Sequence, residues 1–372
     1  MTKKDLTLPK VTFSKTHNDE FYKTLRKRVL EHFKTSGQSR FANSSMVLKT
    51  IAMCSMYFIP FALLFVVENI WITIGLWALM GLGMAGLGLS VMHDANHGAY
   101  SKKNWVNKLL GSVIIFLGGN DVNWRIQHNV LHHTYTNVHG MDEDLNSGAI
   151  LRFSPHDKRR TGHKYQHIYA WFLYGLMTLM WMSLKDFKQA IRYHKMNLLE
   201  SQGKSIGKML VFITITKLVY WFMFVVAPLV WAGAPWYISL IGFFVMQYMT
   251  GMILSMIFQP AHVVPSSNYP VPDDSGNIEA DWAVSQLYNT ANFAPKARLL
   301  SWYCGGLNYQ VEHHLFPNIC HVHYRKLSKI VRNTALEYDL PYNSFKTFGK
   351  ALQEHGKMLY NLGNYDDAPG IH

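Results

Sequence analysis

The sequence predicts an all-α integral membrane fold: four transmembrane helices arranged as two hairpins, interfacial helices, and a polar, histidine-rich cytoplasmic portion. Three observations predict it. Only 16% of the 372 residues are charged and 49% are hydrophobic, whereas a soluble domain carries about 25% charged residues. Four apolar runs, 50–67, 71–92, 209–231 and 235–258, are long enough to cross a bilayer and carry no charge except Lys217. The net charge of +13 is distributed asymmetrically, because the short connections 68–70 and 232–234 contain no Lys or Arg.

Taken in order, residues 1–49 form a cytoplasmic arm, with ten Lys/Arg in the first 45 positions. The first apolar run begins too late, and behind too polar a segment, to be a signal peptide. Residues 50–324 form the membrane domain, and 325–372 a helical cytoplasmic tail. The positive-inside rule places both termini and the central loop in the cytoplasm. Two shorter apolar stretches, 109–119 and 168–184, are read as interfacial or re-entrant helices, which keeps all the histidine clusters on one membrane face. Lys217 is read as snorkelling to the interface rather than facing a polar cavity. Gly81–Gly86 fits G-x-G-x-x-G formally, but it lies inside an apolar span with no strand before it. It therefore predicts close helix packing through Gly81 and Ala85, not a dinucleotide site.

The basic excess is explained by topology and carries no nucleic-acid recognition motif. The three cysteines, Cys54, Cys304 and Cys320, exclude a disulfide scaffold and a Cys-rich zinc module. The histidines carry the pattern. There are 19, and three clusters lie near apolar segments: His93 with His97, then His128 with His132 and His133, then Gln310 with His313 and His314. An i, i+4 pair on a helix puts both imidazoles on one face. Seven histidines exceed the roughly four ligands of one zinc site, so two metals are implied. Asn129 stands where a zinc peptidase helix has Glu, and no HExxH occurs. A nitrogen-rich site beside a membrane suits iron and dioxygen chemistry on a lipid.

The three clusters, in the order HxxxH, HxxxHH and QxxHH around two helical hairpins, resemble the histidine boxes of the integral-membrane fatty acid desaturases. The resemblance runs from about Phe13 to Tyr324. It includes the segments HTYTNVHGMDEDL (133–145), WAVSQLYNTANFA (282–294) and EHHLFP (312–317). Gln310 in the third box resembles the front-end subgroup, which places a double bond between the carboxyl end and an existing one. The resemblance implies a cytoplasmic, histidine-rich domain holding two non-haem irons, with O2 as co-substrate and no bound haem. It makes His93, His97, His128, His132, His133, His313 and His314 iron ligands, and puts His262, at the end of the last span, among them. Gln310 is left open between weak ligand, water holder and hydrogen-bonding residue. Asp94, Asn129, Asn137, Asp144 and Glu312 are expected to orient imidazole N–H groups, and His321 and His323 to support the third box or to lie at the surface.

Unactivated C–H bonds resist acid–base chemistry, so a redox metal must carry the reaction, and two electrons must come from outside. The implied substrate is a fatty acyl-CoA or acyl-lipid, of delta-5 or delta-6 type such as linoleoyl-CoA, drawn from membrane lipid. No HPGG haem signature occurs, and the 45-residue arm is too short for a fused cytochrome b5. A separate donor, ferredoxin or cytochrome b5 with its reductase, is therefore expected, in a bacterial inner membrane. Two rivals remain: a lipid hydroxylase, acetylenase, epoxygenase or alkane hydroxylase on the same scaffold, and a histidine-based metal transporter or sensor. The transporter predicts polar metal ligands at mid-membrane, which the four apolar runs lack.

Overall fold

The computed structural model describes residues 10–14, 19–146 and 148–366; His17 and His372 lie outside them. Helix α1 (Asp19–Ser36) precedes the first hairpin, α2 (Ser44–Leu63) and α3 (Ile70–Asn96). A shorter apolar helix, α4 (Asn104–Leu117), follows, and then a helix over residues 121–132. The second hairpin is α5 (Ile206–Trp231) and α6 (Trp236–His262). After it come α7 (Trp282–Asn289), α8 (Gln310–Leu315), α9 (Tyr324–Glu337) and α10 (Phe348–Asn364). Two small parallel ladders, Thr12–Phe13 with Asn277–Ile278 and Asn292–Phe293 with Ser344–Phe345, pin the polar segments together.

Both helices of the first hairpin begin at a side-chain cap, whereas those of the second, after Ser205 and Pro235, have none. Asn43 accepts from Met46 N–H and Asn69 from Trp71 and Ile72 N–H, satisfying amides that lipid cannot. The two outer turns touch, with Gly233 N–H donating to Leu64 O at 3.1 Å. Both hairpins therefore present their turns at one end of the bundle and their histidine-bearing ends at the other. The expected packing through small residues is present: a Cβ on Gly81 would lie 2.9 Å from Met246 O, and one on Gly83 2.7 Å from the Met56 carbonyl carbon. Ala85 is fully buried in the interface between α3 and α6.

Three sequence expectations are corrected. The first span is shifted towards the N-terminus and includes Lys49, whose buried ammonium lies 2.6 Å from His321 Nε2. Stretch 168–184 is not one helix: Gln166–Gly175 and Met177–Met180 are separate pieces, broken again at non-helical Ser183 (φ −104°, ψ −117°). Both pieces pack against α6 through Gly175 and Thr178 while Ile168, Phe172, Met180 and Leu184 stay exposed. Lys217 does not snorkel. It is buried and donates to Gly118 O at 2.6 Å, to Trp181 O and to Asp186 Oδ2. A charge this far from water persists only when paired and hydrogen-bonded.

Candidate metal centre

The three clusters and His262 converge at one end of the bundle. Helix α3 runs on past the span and winds as a wider π-turn over Leu87–Met92 before delivering His93, Asp94 and His97. Residues Arg125–His132 are also π-helical, and His133 N–H bonds to His128 O, five residues back, at 2.9 Å. That wider turn explains how the second cluster works. His132 and His133 both swing back over His128, with ring centroids 5.1 and 4.8 Å away, which an i, i+4 spacing alone allows only for His132. Adjacent His313 and His314 on α8 diverge around the helix, so one faces each half of the cluster. His262 closes the far side from the last turn of α6.

Two donor groups result. Nitrogens of His93, His97, His128 and His313 lie within 4.8 Å of one another, as do those of His132, His262 and His314. His133 bridges them, grouping with His313 and His314, and its Nε2 lies 2.9 Å from His313 Nε2. The Nε2 atoms of His93, His97, His128, His132, His262 and His314 are buried without any hydrogen-bond partner. Such orphaned acceptors are costly unless something binds them. Their convergence fits two metal ions held mainly by imidazole.

Burial lowers the basicity of this cluster. His97, His133, His313 and His314 are held well below the ordinary histidine range by desolvation and by one another, and His128 is brought down to about 4. Neutral rings are the metal-binding form. His132 is the exception: burial lowers it, but the Asp142 and Asp144 carboxylates more than offset that and raise it.

The ring orientations are set through the opposite nitrogens. His128 Nδ1–H donates to Asp144 Oδ2 at 2.6 Å, and His132 Nδ1–H to both oxygens of Asp142 at 2.9 Å. His314 Nδ1 meets Gln286 Oε1 at 2.9 Å and Thr136 Oγ1 at 3.1 Å, and His313 Nδ1 meets Tyr324 OH at 3.2 Å. Asp94 lies 3.7 Å from His93 Nδ1, but its short bonds go to His321, at 2.8 Å to Nδ1 and 3.1 Å to the backbone N–H.

Three residues expected to orient imidazoles do not. Asn129 donates to Asn96 O. Glu312 accepts from Asn292 and Tyr342, and desolvation pushes it up to about 7. Asn137 acts at one remove: its backbone N–H donates to Asp142 Oδ2 and its amide to the His262 carbonyl. Sequence reasoning missed Asp142, Gln286, Thr136 and Tyr324. Thr136 and Asp142 both stood in the quoted HTYTNVHGMDEDL, Asp142 two residues before Asp144, and Gln286 in the quoted WAVSQLYNTANFA; Tyr324 lay outside the quoted segments. His323 donates to Phe41 O, away from the cluster.

A cleft of about 660 Å³ reaches the first donor group at His93, His128 and His313, with Gln310 beside them. Gln310 Oε1 is buried there without a partner. Leu89, Met92, Met177, Trp181, Leu254 and Phe258 make the walls apolar, while Lys185, Lys188 and Arg192 border the polar end. Glu143, paired with Arg192 at 2.6 Å, and Asp144 also line the cleft; an apolar slot ending on a metal-binding cluster suits an acyl chain.

The comparisons with known proteins agree with this geometry. The family model "Fatty acid desaturase" matches residues 69–346. The chain is 34% identical to the sn-1 linoleoyl-lipid 6-desaturase of Arthrospira platensis, over 96% of this chain and 95% of the relative. It is 33% identical to the Synechocystis protein of the same name (96% and 99%) and to the acyl-lipid (8-3)-desaturase of Physcomitrium patens (94% and 73%). With that match, those relatives, four apolar helices long enough to span a membrane and a buried histidine cluster able to bind metal, the chain belongs to the fatty acid desaturase family as an integral membrane oxidoreductase.

Proposed function

We propose that this desaturase is a front-end enzyme acting on a polyunsaturated acyl chain esterified to a membrane lipid, and that it introduces a cis double bond at the delta-6 position of a linoleoyl group. The observation that carries the reading is the apolar cleft ending on the histidines; relatives named for linoleoyl-lipid 6-desaturation support the position and the carrier. Two irons, one held by His93, His97, His128 and His313 and the other by His132, His262 and His314, with His133 between the two groups, would fit these donors. When bound they supply the redox chemistry with dioxygen that unactivated C–H bonds require. The reaction balances as one O2, two electrons and two protons taken up, two hydrogens removed from adjacent carbons, and two waters released.

The chain's own residues account for the rest. Asp142, Asp144 and Gln286 hold their imidazoles as Nδ1–H tautomers, leaving Nε2 free. The apolar walls exclude water and hold the acyl chain extended. Gln310 marks the junction of cleft and cluster, where its buried Oε1 would hold a water or serve as a weak ligand. Lys188 binds the anionic head at the polar end of the cleft, where Arg192 is already paired with Glu143. The orientation with histidines, arm and tail in the cytoplasm follows from the basic excess at that end, in a bacterial inner membrane. A separate ferredoxin or cytochrome b5 supplies the electrons.

The test is expression with an electron donor in a host lacking polyunsaturated lipids, fed linoleate, with gas chromatography–mass spectrometry of lipid classes. The expected product is an 18-carbon triene with the new bond at carbon 6, appearing first on glycerolipid. Iron-loaded protein with donor that forms no new unsaturated acid from any acyl substrate refutes the reading. Hydroxylated product alone favours the hydroxylase alternative.

A further inference from the structure

Lys217 was expected to avoid the interior, and its burial needs a reason. The ammonium joins three elements. It binds Gly118 O, at the left-handed residue that ends α4 (φ +81°). It binds Trp181 O, a carbonyl at the π-helical break around Ser183. It binds Asp186 Oδ2 just beyond that break. Asp186, itself buried, accepts through its carbonyl from Asn123 Nδ2 at 2.8 Å and through Oδ1 at 3.4 Å. Asn123 is buried in the first turn of the helix that carries His128 and His132. Trp221 Nε1–H satisfies the neighbouring Met182 carbonyl at 3.3 Å. Of the segment these bonds hold, Met180, Trp181, Leu184 and Lys185 line the cleft, together with Leu89 and Leu254.

We propose that Lys217, Asp186 and Asn123 form a specificity-determining network. It fixes the Trp181 wall relative to His128, and so fixes which carbon of the acyl chain lies against the metal centre. The inference rests on the reading of the cleft as the acyl site. Methylenes along an acyl chain are chemically alike, so choice among them comes from position alone. Dispersion contacts tolerate sliding, whereas directional charged hydrogen bonds have one geometry. A helix broken at membrane depth also leaves carbonyls that lipid cannot satisfy, and Lys217 is where this fold satisfies one of them. These three are positioning residues: none lines the cleft.

The test compares the full-length protein with Lys217→Met, with Lys217→Met/Asp186→Asn, with Asn123→Ala, and with a cleft-wall control, Ser255→Phe. Lys217→Met alone strands a buried carboxylate and is expected to accumulate poorly. The double variant removes both charges, and Asn123→Ala keeps the ion pair but cuts its tie to the histidine helix. Both are expected to insert and retain iron, to spread the new double bond over at least two neighbouring positions, and to lower kcat about tenfold with KM little changed; misplacement by about 1 Å is enough for such losses. Ser255→Phe is expected to change the acyl length accepted. If the double variant and Asn123→Ala both keep the wild-type bond position and kcat while Ser255→Phe changes chain-length preference, the network proposal is overturned and the cleft reading stands. If Ser255→Phe is also silent, the cleft reading fails and takes the proposal with it. If the double variant does not accumulate, Asn123→Ala decides alone.

Discussion

Asp142→Asn is the sharpest test of how the metal centre is held. Asp142 Oδ1 accepts from His132 Nδ1–H and Asp144 N–H; Oδ2 accepts from His132 Nδ1–H and Asn137 N–H. Asparagine keeps one acceptor oxygen and turns the other into an NH2 group facing a backbone N–H, so one amide loses its partner whichever way the side chain flips. The negative charge that makes His132 a stronger ligand is lost as well. Loss of such a partner costs roughly 10–100-fold in metal affinity, or about 1.4–2.7 kcal/mol at 1.36 kcal/mol per tenfold. The assay is iron per protein by plasma mass spectrometry after dialysis against chelators of graded strength, with activity measured at saturating iron. The matched control is Glu312→Gln. Its carboxyl accepts from the Asn292 and Tyr342 side chains and from no imidazole among the described residues, so iron retention is expected to stay within about twofold while the melting temperature falls from the lost bond, about 1–3 kcal/mol. Equal iron retention in Asp142→Asn and wild type, or a greater loss in Glu312→Gln, refutes the assignment.

Two further outcomes follow from packing and burial. His355 is buried, with Nδ1–H on Val263 O at 2.8 Å and Nε2 accepting from Tyr174 OH at 2.6 Å, so desolvation brings it down to about 4. The folded state holds it neutral, and between about pH 6.5 and 4 the unfolded chain binds the extra proton; stability is full above 6.5 and falls by about 3 kcal/mol as the pH drops to 4. Urea unfolding in detergent across that range should show a slope that flattens by one proton in His355→Gln, and identical slopes would contradict it. Gly83→Val should separate α2 from α3, because even its Cβ would lie 2.7 Å from the Met56 carbonyl carbon; overpacking costs about 1–3 kcal/mol or more, read as a lower melting temperature in detergent. Unchanged melting would mean that the two helices do not approach as described.

Hydropathy placed the four spans and their hairpin pairing, and residue spacing marked the three clusters that hold seven of the histidines that meet, because both signals are local and survive without knowledge of the fold; His262 came only from the family resemblance. The sequence also pointed to Asp144 as a partner of an imidazole. Other choices depended on contacts between residues far apart in the chain. Asp142 and Asp144 sit two apart in one acidic stretch, and only the backbone path shows that both turn towards the cluster while Glu143 turns to Arg192. Gln286 finds His314 across 28 residues. Lys217 looked like a lipid-facing cation because its partners, Gly118, Trp181 and Asp186, lie up to 99 positions away. The π-turns that aim His132 and His133 together have no sequence signature in this chain. Burial of apolar surface by the bilayer is written residue by residue, but satisfaction of a buried polar group is a property of the pair, and the pair exists only once the chain has folded.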